Sequence, residues 1–174
     1  YKTAFIIDDR YNAGGFVGDQ IIDRLERRAW AMTQPREGLP QPNPERVFHG
    51  HLAVLINEDT GSNGEFFAEA IKRKGLAPLI GKRTWGGAIG IEPHQDLVDG
   101  GVTTPPQFGL YGLDRTWLIE GHGVVPDIEV ENPPSEVLAG RDPQLEAAIE
   151  LLLGKLEEDD RELPGPPDYP DKSK

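Results

Sequence analysis

Four segments of this 174-residue chain place reactive or anion-stabilising groups beside glycines. In Thr60-Gly61-Ser62-Asn63-Gly64-Glu65 a serine stands between an apolar run and the start of an amphipathic stretch. A tight turn there projects the hydroxyl, and the open N–H groups and partial positive charge of a helix start stabilise a developing oxyanion. Ser is also among the best helix N-caps, so the same residues fit a structural turn. In Asn12-Ala13-Gly14-Gly15-Phe16 two glycines precede a second amphipathic stretch and can present N–H groups to an oxyanion or a phosphate. They lack the Lys-Ser/Thr pair and the full G-x-G-x-x-G of phosphate loops, and a simple turn fits them equally well. Lys82-Arg83-Thr84-Trp85-Gly86-Gly87-Ala88-Ile89-Gly90 either frames a groove or forms a Gly-rich hairpin. In Ile119-Glu120-Gly121-His122-Gly123-Val124-Val125-Pro126-Asp127 an acid and a histidine follow an apolar segment, the alternative being a solvated acid and a surface histidine.

Histidine limits the mechanism. The chain has four, His49, His51, His94 and His122. His49 and His51 alternate on a β-like segment and read as surface residues. Apart from the near pair His49 and His51, none has metal-ligand spacing with a second histidine and an acid, so no metal site is expected. The chain has no cysteine, which excludes disulfides, iron–sulfur clusters and thiolate zinc sites.

The elements that must hold these loops show in the hydrophobic pattern. Residues 4–7 and 52–56 are short apolar runs of the kind found in buried strands. Each is followed by a polar, glycine-containing turn and then by helical periodicity: Val17, Ile21, Ile22, Leu25, Ala29 and Met32 in the first unit, Phe66, Phe67, Ala70 and Ile71 in the second, where Gly75 ends the helix. Residues 35–44 carry four prolines and a glycine and read as a loop. Residues 79–80 begin a third strand. Two strand–turn–helix units followed by a strand predict a parallel sheet with covering helices. Residues 85–130 read as a β-rich extension, with pieces at 88–91, 102–104, 108–111, 117–119 and 128–130. Asp142-Pro143 opens a last helix as N-cap and first-turn proline, with Leu145, Ala148, Ile149, Leu152 and Leu156 as its apolar stripe. The expected division is an α/β domain over 1–157 and an acidic, Pro-rich tail over 158–174, extended or disordered.

Composition narrows the partners. Hydrophobic residues make up 37% of the chain, enough for one core. The net charge of −12 repels phosphate and argues against nucleic acid as a partner. The apolar runs are too short to span a bilayer, so no membrane partner is expected. The chain opens at Tyr1, almost inside a strand, and reads as a piece of a longer polypeptide.

Taken together and in order, Ile7-Asp8-Asp9-Arg10-Tyr11-Asn12-Ala13-Gly14-Gly15, Gly61-Ser62-Asn63-Gly64-Glu65, Leu79-Ile80-Gly81-Lys82-Arg83-Thr84-Trp85-Gly86-Gly87 and Glu120-Gly121-His122-Gly123-Val124-Val125-Pro126-Asp127 resemble the tricorn-type catalytic domain of the tail-specific (carboxyl-terminal processing) protease superfamily. The resembling stretch runs from about Ala4 to Leu156. It implies a crotonase/Clp-protease-like spiral of ββα units, with the β-rich extension and C-terminal helix, and serine peptidase activity without metal or cofactor. It makes Ser62 the nucleophile, the N–H groups of Gly15 and Asn63 the oxyanion hole, and Glu120 the acid that orients a catalytic histidine. Where Asn63 stands the family more often has Asp, but only the backbone N–H is needed. The tail-specific branch uses a Ser-Lys dyad with its lysine in Thr-x-Gly-Lys. Here that element reads Thr84-Trp85-Gly86-Gly87, which favours the Ser-His-Glu arrangement, with the histidine upstream of Tyr1. The resemblance also implies peptide substrates, a homo-oligomer, typically a hexamer, and a cytoplasmic location, although some bacterial relatives are exported. Two other readings stand beside it: a non-catalytic peptide-binding or assembly domain of the same fold, and a self-contained esterase pairing Ser62 with His122 or His94.

Overall fold

The computed structural model describes residues 3–91, 95–171 and 173. In chain order the elements are β1 (Ala4–Asp8), α1 (Gly18–Leu25), β2 (Ala31–Thr33), β3 (Gln41–Asn43), β4 (His51–Ile56), α2 (Asn63–Arg73), β5 (Leu79–Gly81), β6 (Gln95–Asp96), β7 (Val102–Thr103), β8 (Ile128–Glu129), α3 (Pro134–Leu138) and α4 (Pro143–Glu158). A four-stranded parallel sheet of order β1-β4-β5-β8 organises them. Its central strand β4 is buried along its whole length, which explains why it reads as a continuous apolar run rather than an alternating one.

The pleat sends alternate β4 side chains to opposite faces. Leu52, Val54 and Ile56 pack with Ile22 of α1 and Phe67, Ala68 and Ile71 of α2. Ala53 and Leu55 pack with Ala148 and Leu152 of α4. The α/β architecture expected from the two strand–turn–helix units is therefore present, with α1 and α2 on one face and the C-terminal helix on the other. Helix α2 closes with the hydrogen bonds of a Schellman turn, Gly75 N–H to Lys72 O at 3.1 Å and Leu76 N–H to Ile71 O at 3.0 Å. Asp142 caps α4 by accepting the Leu145 N–H.

Several expected boundaries move. The first helix ends at Leu25 rather than running to Met32, because residues 31–33 pair with residues 41–43 as an antiparallel hairpin inside the expected loop. Ala29 and Met32 keep helical spacing, but strand pairing across the hairpin overrides it. In the expected β-rich extension, 88–91, 108–111 and 117–119 form only isolated bridges, Gly90 with Phe108 and Tyr111 with Trp117. Residues 128–129 join the main sheet through β5 instead. The short helix α3 was not foreseen. Beyond α4 the described residues form neither helix nor strand.

Candidate active site

The loops after β1 and β4 leave the carboxyl ends of neighbouring parallel strands, the position where open α/β sheets carry their ligands. They are tied together. Gly61 N–H donates to Asn12 O at 2.9 Å, Tyr11 N–H to Asn57 Oδ1 at 3.0 Å, and Thr60 Oγ1 to Asp9 O at 2.9 Å. Gly14 sits so close to the second loop that a Cβ on it would meet Ser62 Cβ at 2.7 Å and the Asn63 nitrogen at 3.4 Å. With φ at +124° as well, the position accepts only glycine. The two glycine-containing segments that the resemblance joins in one oxyanion hole are thus in contact.

Ser62 is the N-cap of α2 and has φ 52° and ψ −119°. For a non-glycine residue this backbone costs about 1–3 kcal/mol and persists only where the surroundings impose it. Here they do. Ser62 N–H donates both to Gly87 O at 3.2 Å and to Glu65 Oε2 at 3.1 Å. The turn also brings the Glu65 N–H onto the Ser62 carbonyl at 3.0 Å. Asn63 turns its side chain away from the serine and accepts the Gly18 N–H at 2.9 Å, which docks the start of α1 onto the start of α2. Neither the Asn63 N–H nor the Gly15 N–H donates to a group among the described residues. They are the open donors of this corner, one of them at the positive end of a helix.

Glu65 holds the third wall and was given no role in the sequence reading. It is fully buried, and its two oxygens accept four hydrogen bonds: Thr84 Oγ1 at 2.6 Å and Gly86 N–H at 2.7 Å on Oε1, Ser62 and Gly87 N–H on Oε2. Thr84 Oγ1 in turn accepts the Val124 N–H at 2.7 Å. The signal was present as Ser62-x-x-Glu65, the spacing of a capping box. Trp85 lies against Gly61, whose Cβ would stand 3.1 Å from its ring, and a Cβ on Gly87 would overlap the indole. A side chain at Gly87, where the tail-specific branch carries lysine, would therefore have to displace the exposed Trp85 indole.

Glu120 is on the same wall, in the turn after the Trp117 bridge. Its Oε2 accepts Ala88 N–H at 2.7 Å and Ile89 N–H at 2.9 Å, immediately beyond the Gly87 that Ser62 touches. Among the described residues no group donates to Oε1. His122 is turned back on its own loop, with Nε2 accepting the Ile119 N–H at 3.1 Å and Nδ1 3.1 Å from Glu120 O, so both ring nitrogens are engaged there. His51 Nε2 lies 2.6 Å from Asp159 O at the opposite end of β4. His94 falls outside the described residues. The structure thus sets Ser62 against Gly14 on one side and Gly87 on the other, with Glu120 bound to the Ala88–Ile89 backbone that follows Gly87, and His122 among the described histidines turned back on its own loop. Among the described residues no group of three or more His, Asp or Glu side chains is placed to hold a metal.

Arg10 anchors the first loop from behind. Its guanidinium is bidentate to Asp8 and to Asp142, with contacts of 2.7–2.9 Å. The Arg10 hydrogen bond holds the Asp142 carboxyl far below the usual carboxylate range, and it lowers Asp8 too. Asp9 differs: burial pushes its carboxyl up to about 7, with the Asn12 hydrogen bond opposing and the Asp8 charge adding.

Residues 2–130 match the family described as peptidase family S41. The tricorn protease of Thermoplasma acidophilum is 41% identical over 162 residues, 93% of this chain but 15% of that protein. Tricorn protease homolog 1 of Streptomyces coelicolor is 39% identical, over 94% of this chain and 15% of its own length. The carboxyl-terminal-processing protease of Synechocystis is 31% identical, over 86% and 37%. The crystal structure of the tricorn protease superposes with a TM-score of 0.84 at 40% identity, covering 89% of this chain and 15% of that one. The photosystem II D1 C-terminal processing protease, at 24% identity and TM-score 0.51, shares the fold over 86% of this chain and 39% of its own. The chain spans about 15% of the length of the tricorn relatives it matches. No helix among the described residues is long and apolar enough to cross a membrane.

Proposed function

Because this chain belongs to peptidase family S41, we propose that it is the part of a tricorn-type serine peptidase that carries the nucleophile, the oxyanion hole and the orienting acid. Ser62 Oγ attacks the carbonyl carbon of a peptide bond while a histidine takes its proton. The oxyanion forms between the N–H groups of Gly15 and Asn63. The histidine then gives its proton to the leaving amine as the C–N bond breaks, and water hydrolyses the acyl-enzyme by the reverse proton path. Glu120, fixed through one oxygen by Ala88 and Ile89, offers the other to the imidazole, setting its tautomer and offsetting its positive charge. The histidine comes from a segment of the polypeptide outside these 174 residues, since His122 is engaged in its own turn. Each oxyanion donor is worth about 10²–10³ in rate.

The observation that carries this reading is the contact between Gly14 and Ser62, with two unclaimed N–H groups beside a serine held in a strained turn. The substrates proposed are peptides, by likeness to relatives named as proteases, and short peptides or unfolded segments and a homo-oligomeric assembly are proposed on the family resemblance of the sequence motifs. Fluorophosphonate labelling tests it. The complete polypeptide is expected to label at Ser62 and the isolated 174-residue chain hardly at all. Labelling of neither favours a peptide-binding or assembly domain. Labelling of the isolated chain favours a self-contained esterase.

A further inference from the structure

The mechanism above makes no use of the buried Asp9 carboxyl, yet that group bears on the loop that carries an oxyanion donor. Asp9 is 5% exposed, and its Oδ2 has no hydrogen-bond partner. Its Oδ1 accepts from Asn12 Nδ2 at 2.8 Å. Asn12 clamps the cleft from there: its Oδ1 receives the Gly14 N–H at 3.0 Å, and its carbonyl receives the Gly61 N–H at 2.9 Å. One amide side chain thus joins Asp9 to the residue that touches Ser62, and the same residue's backbone holds the turn that projects Ser62.

We propose that Asp9 is a positioning residue whose neutral form holds Asn12, and through it the Gly14–Gly15 peptide, in the geometry that receives the oxyanion, and whose ionisation releases that loop and stops acylation. The proposal rests on the reading of Ser62 as nucleophile.

The surroundings make ionisation costly. A carboxylate needs acceptor sites filled by donors or water, and Oδ2 has neither a donor nor access. The guanidinium of Arg10 is spent on Asp8 and Asp142. Asp8, on β1, adds a like charge. The 57–60 loop packed against Asp9 contributes neutral Asn57 and Thr60, with Glu58 and Asp59 on its exposed side. No Lys, Arg or His pairs with Asp9 among the described residues. Losing the proton near pH 7 tightens the Asn12 bond on Oδ1 but leaves the charge on Oδ2 buried and without a donor, and it is opening of 9–14 or 57–62 that lets water reach it. Those segments are the oxyanion loop and the nucleophile turn.

The test is the pH profile of Ser62 acylation by a fluorophosphonate in the complete polypeptide, followed by intact mass. For the wild type, acylation is expected to fall about tenfold per pH unit above about pH 8, after the rise that a histidine base produces. Asp9→Asn, which keeps an acceptor for Asn12 and cannot ionise, is expected to level off at high pH. Asp9→Leu, which removes both the charge and the acceptor, is expected to level off too, at a rate at least tenfold lower. An Asn12→Leu variant should lose rate at every pH. A wild-type profile flat above pH 8, or an alkaline decline that survives in Asp9→Asn or Asp9→Leu, overturns the proposal while leaving Ser62 as nucleophile. Absence of Ser62 labelling at every pH overturns both.

Discussion

Replacing Glu65 with Gln turns one of its two acceptor oxygens into a donor inside a site where every neighbour already donates. The amide can be placed two ways. With its nitrogen toward the Oε2 position it faces the Ser62 and Gly87 N–H groups, donor against donor twice. With its nitrogen toward the Oε1 position it can donate to Thr84 Oγ1, but Gly86 N–H loses its acceptor and the Thr84 hydroxyl proton must find another. The second is cheaper. It leaves one buried N–H unsatisfied, about 1–3 kcal/mol, and weakens charge-assisted hydrogen bonds to neutral ones, for a total of about 2–4 kcal/mol. For a chain of this length that is a fall of about 6–12 °C in Tm. It also means about 30- to 700-fold faster amide exchange at Gly86 and Gly87 if these open locally. Exchange reports the wall itself, so it separates loss of this hub from general destabilisation. Ser62 labelling should drop in parallel, since the same carboxylate fixes the Ser62 backbone. A folded Glu65→Gln chain whose Gly86 and Gly87 amides exchange at wild-type rates would refute the reasoning.

Three further outcomes are expected. In the complete polypeptide, Glu120→Gln keeps the Ala88 and Ile89 bonds through its carbonyl oxygen but presents an amide to the histidine. Its peptide hydrolysis should fall about 10²–10⁴-fold, with Ser62→Ala and the double variant nearly equal in steady-state kinetics. Arg10→Met should cost about 1–3 kcal/mol at neutral pH. It should also flatten acid unfolding, because Asp142 has a lowered folded pKa and its contribution is present above the ordinary value of 3.8 and lost as pH falls toward the folded one, as denaturant titrations at several pH values would read. Cutting after Asp160 retains the Asp159 carbonyl at His51 and removes one half-buried apolar residue, Leu163, so calorimetry should find a Tm change below about 4 °C; a larger loss would make the tail an ordered part of the domain.

Both strands that carry the site loops were legible as apolar runs at 4–7 and 52–56: β4 is buried throughout and so reads continuously, while the edge strand β1, half-buried with Phe5 exposed, shows by its run of apolar types alone. The caps at Ser62 and Asp142 and the Gly75 stop were legible because they follow from single residue types. What failed was decided between distant segments. Nothing local tells Ala31–Thr33 that Gln41–Asn43 is there to pair with, and two-residue strands such as Ile128–Glu129 carry too little pattern to name their partner. The same holds at the site. Glu65 has no role that its own segment reveals beyond capping-box spacing to Ser62, because Thr84 and Gly86 arrive from another part of the chain. Asp9 reads as a turn residue until packing closes over it.

Trp85 and Gly87 constrain what can replace each other. A side chain at 87 must displace the indole, and the indole rests on the Gly61 backbone next to Ser62. A lysine introduced at 87 alone therefore meets an occupied space and presses the indole toward the Gly61 turn, whereas a smaller residue at 85 clears that space. The two positions are coupled, and the effect of replacing both differs from the sum of replacing each.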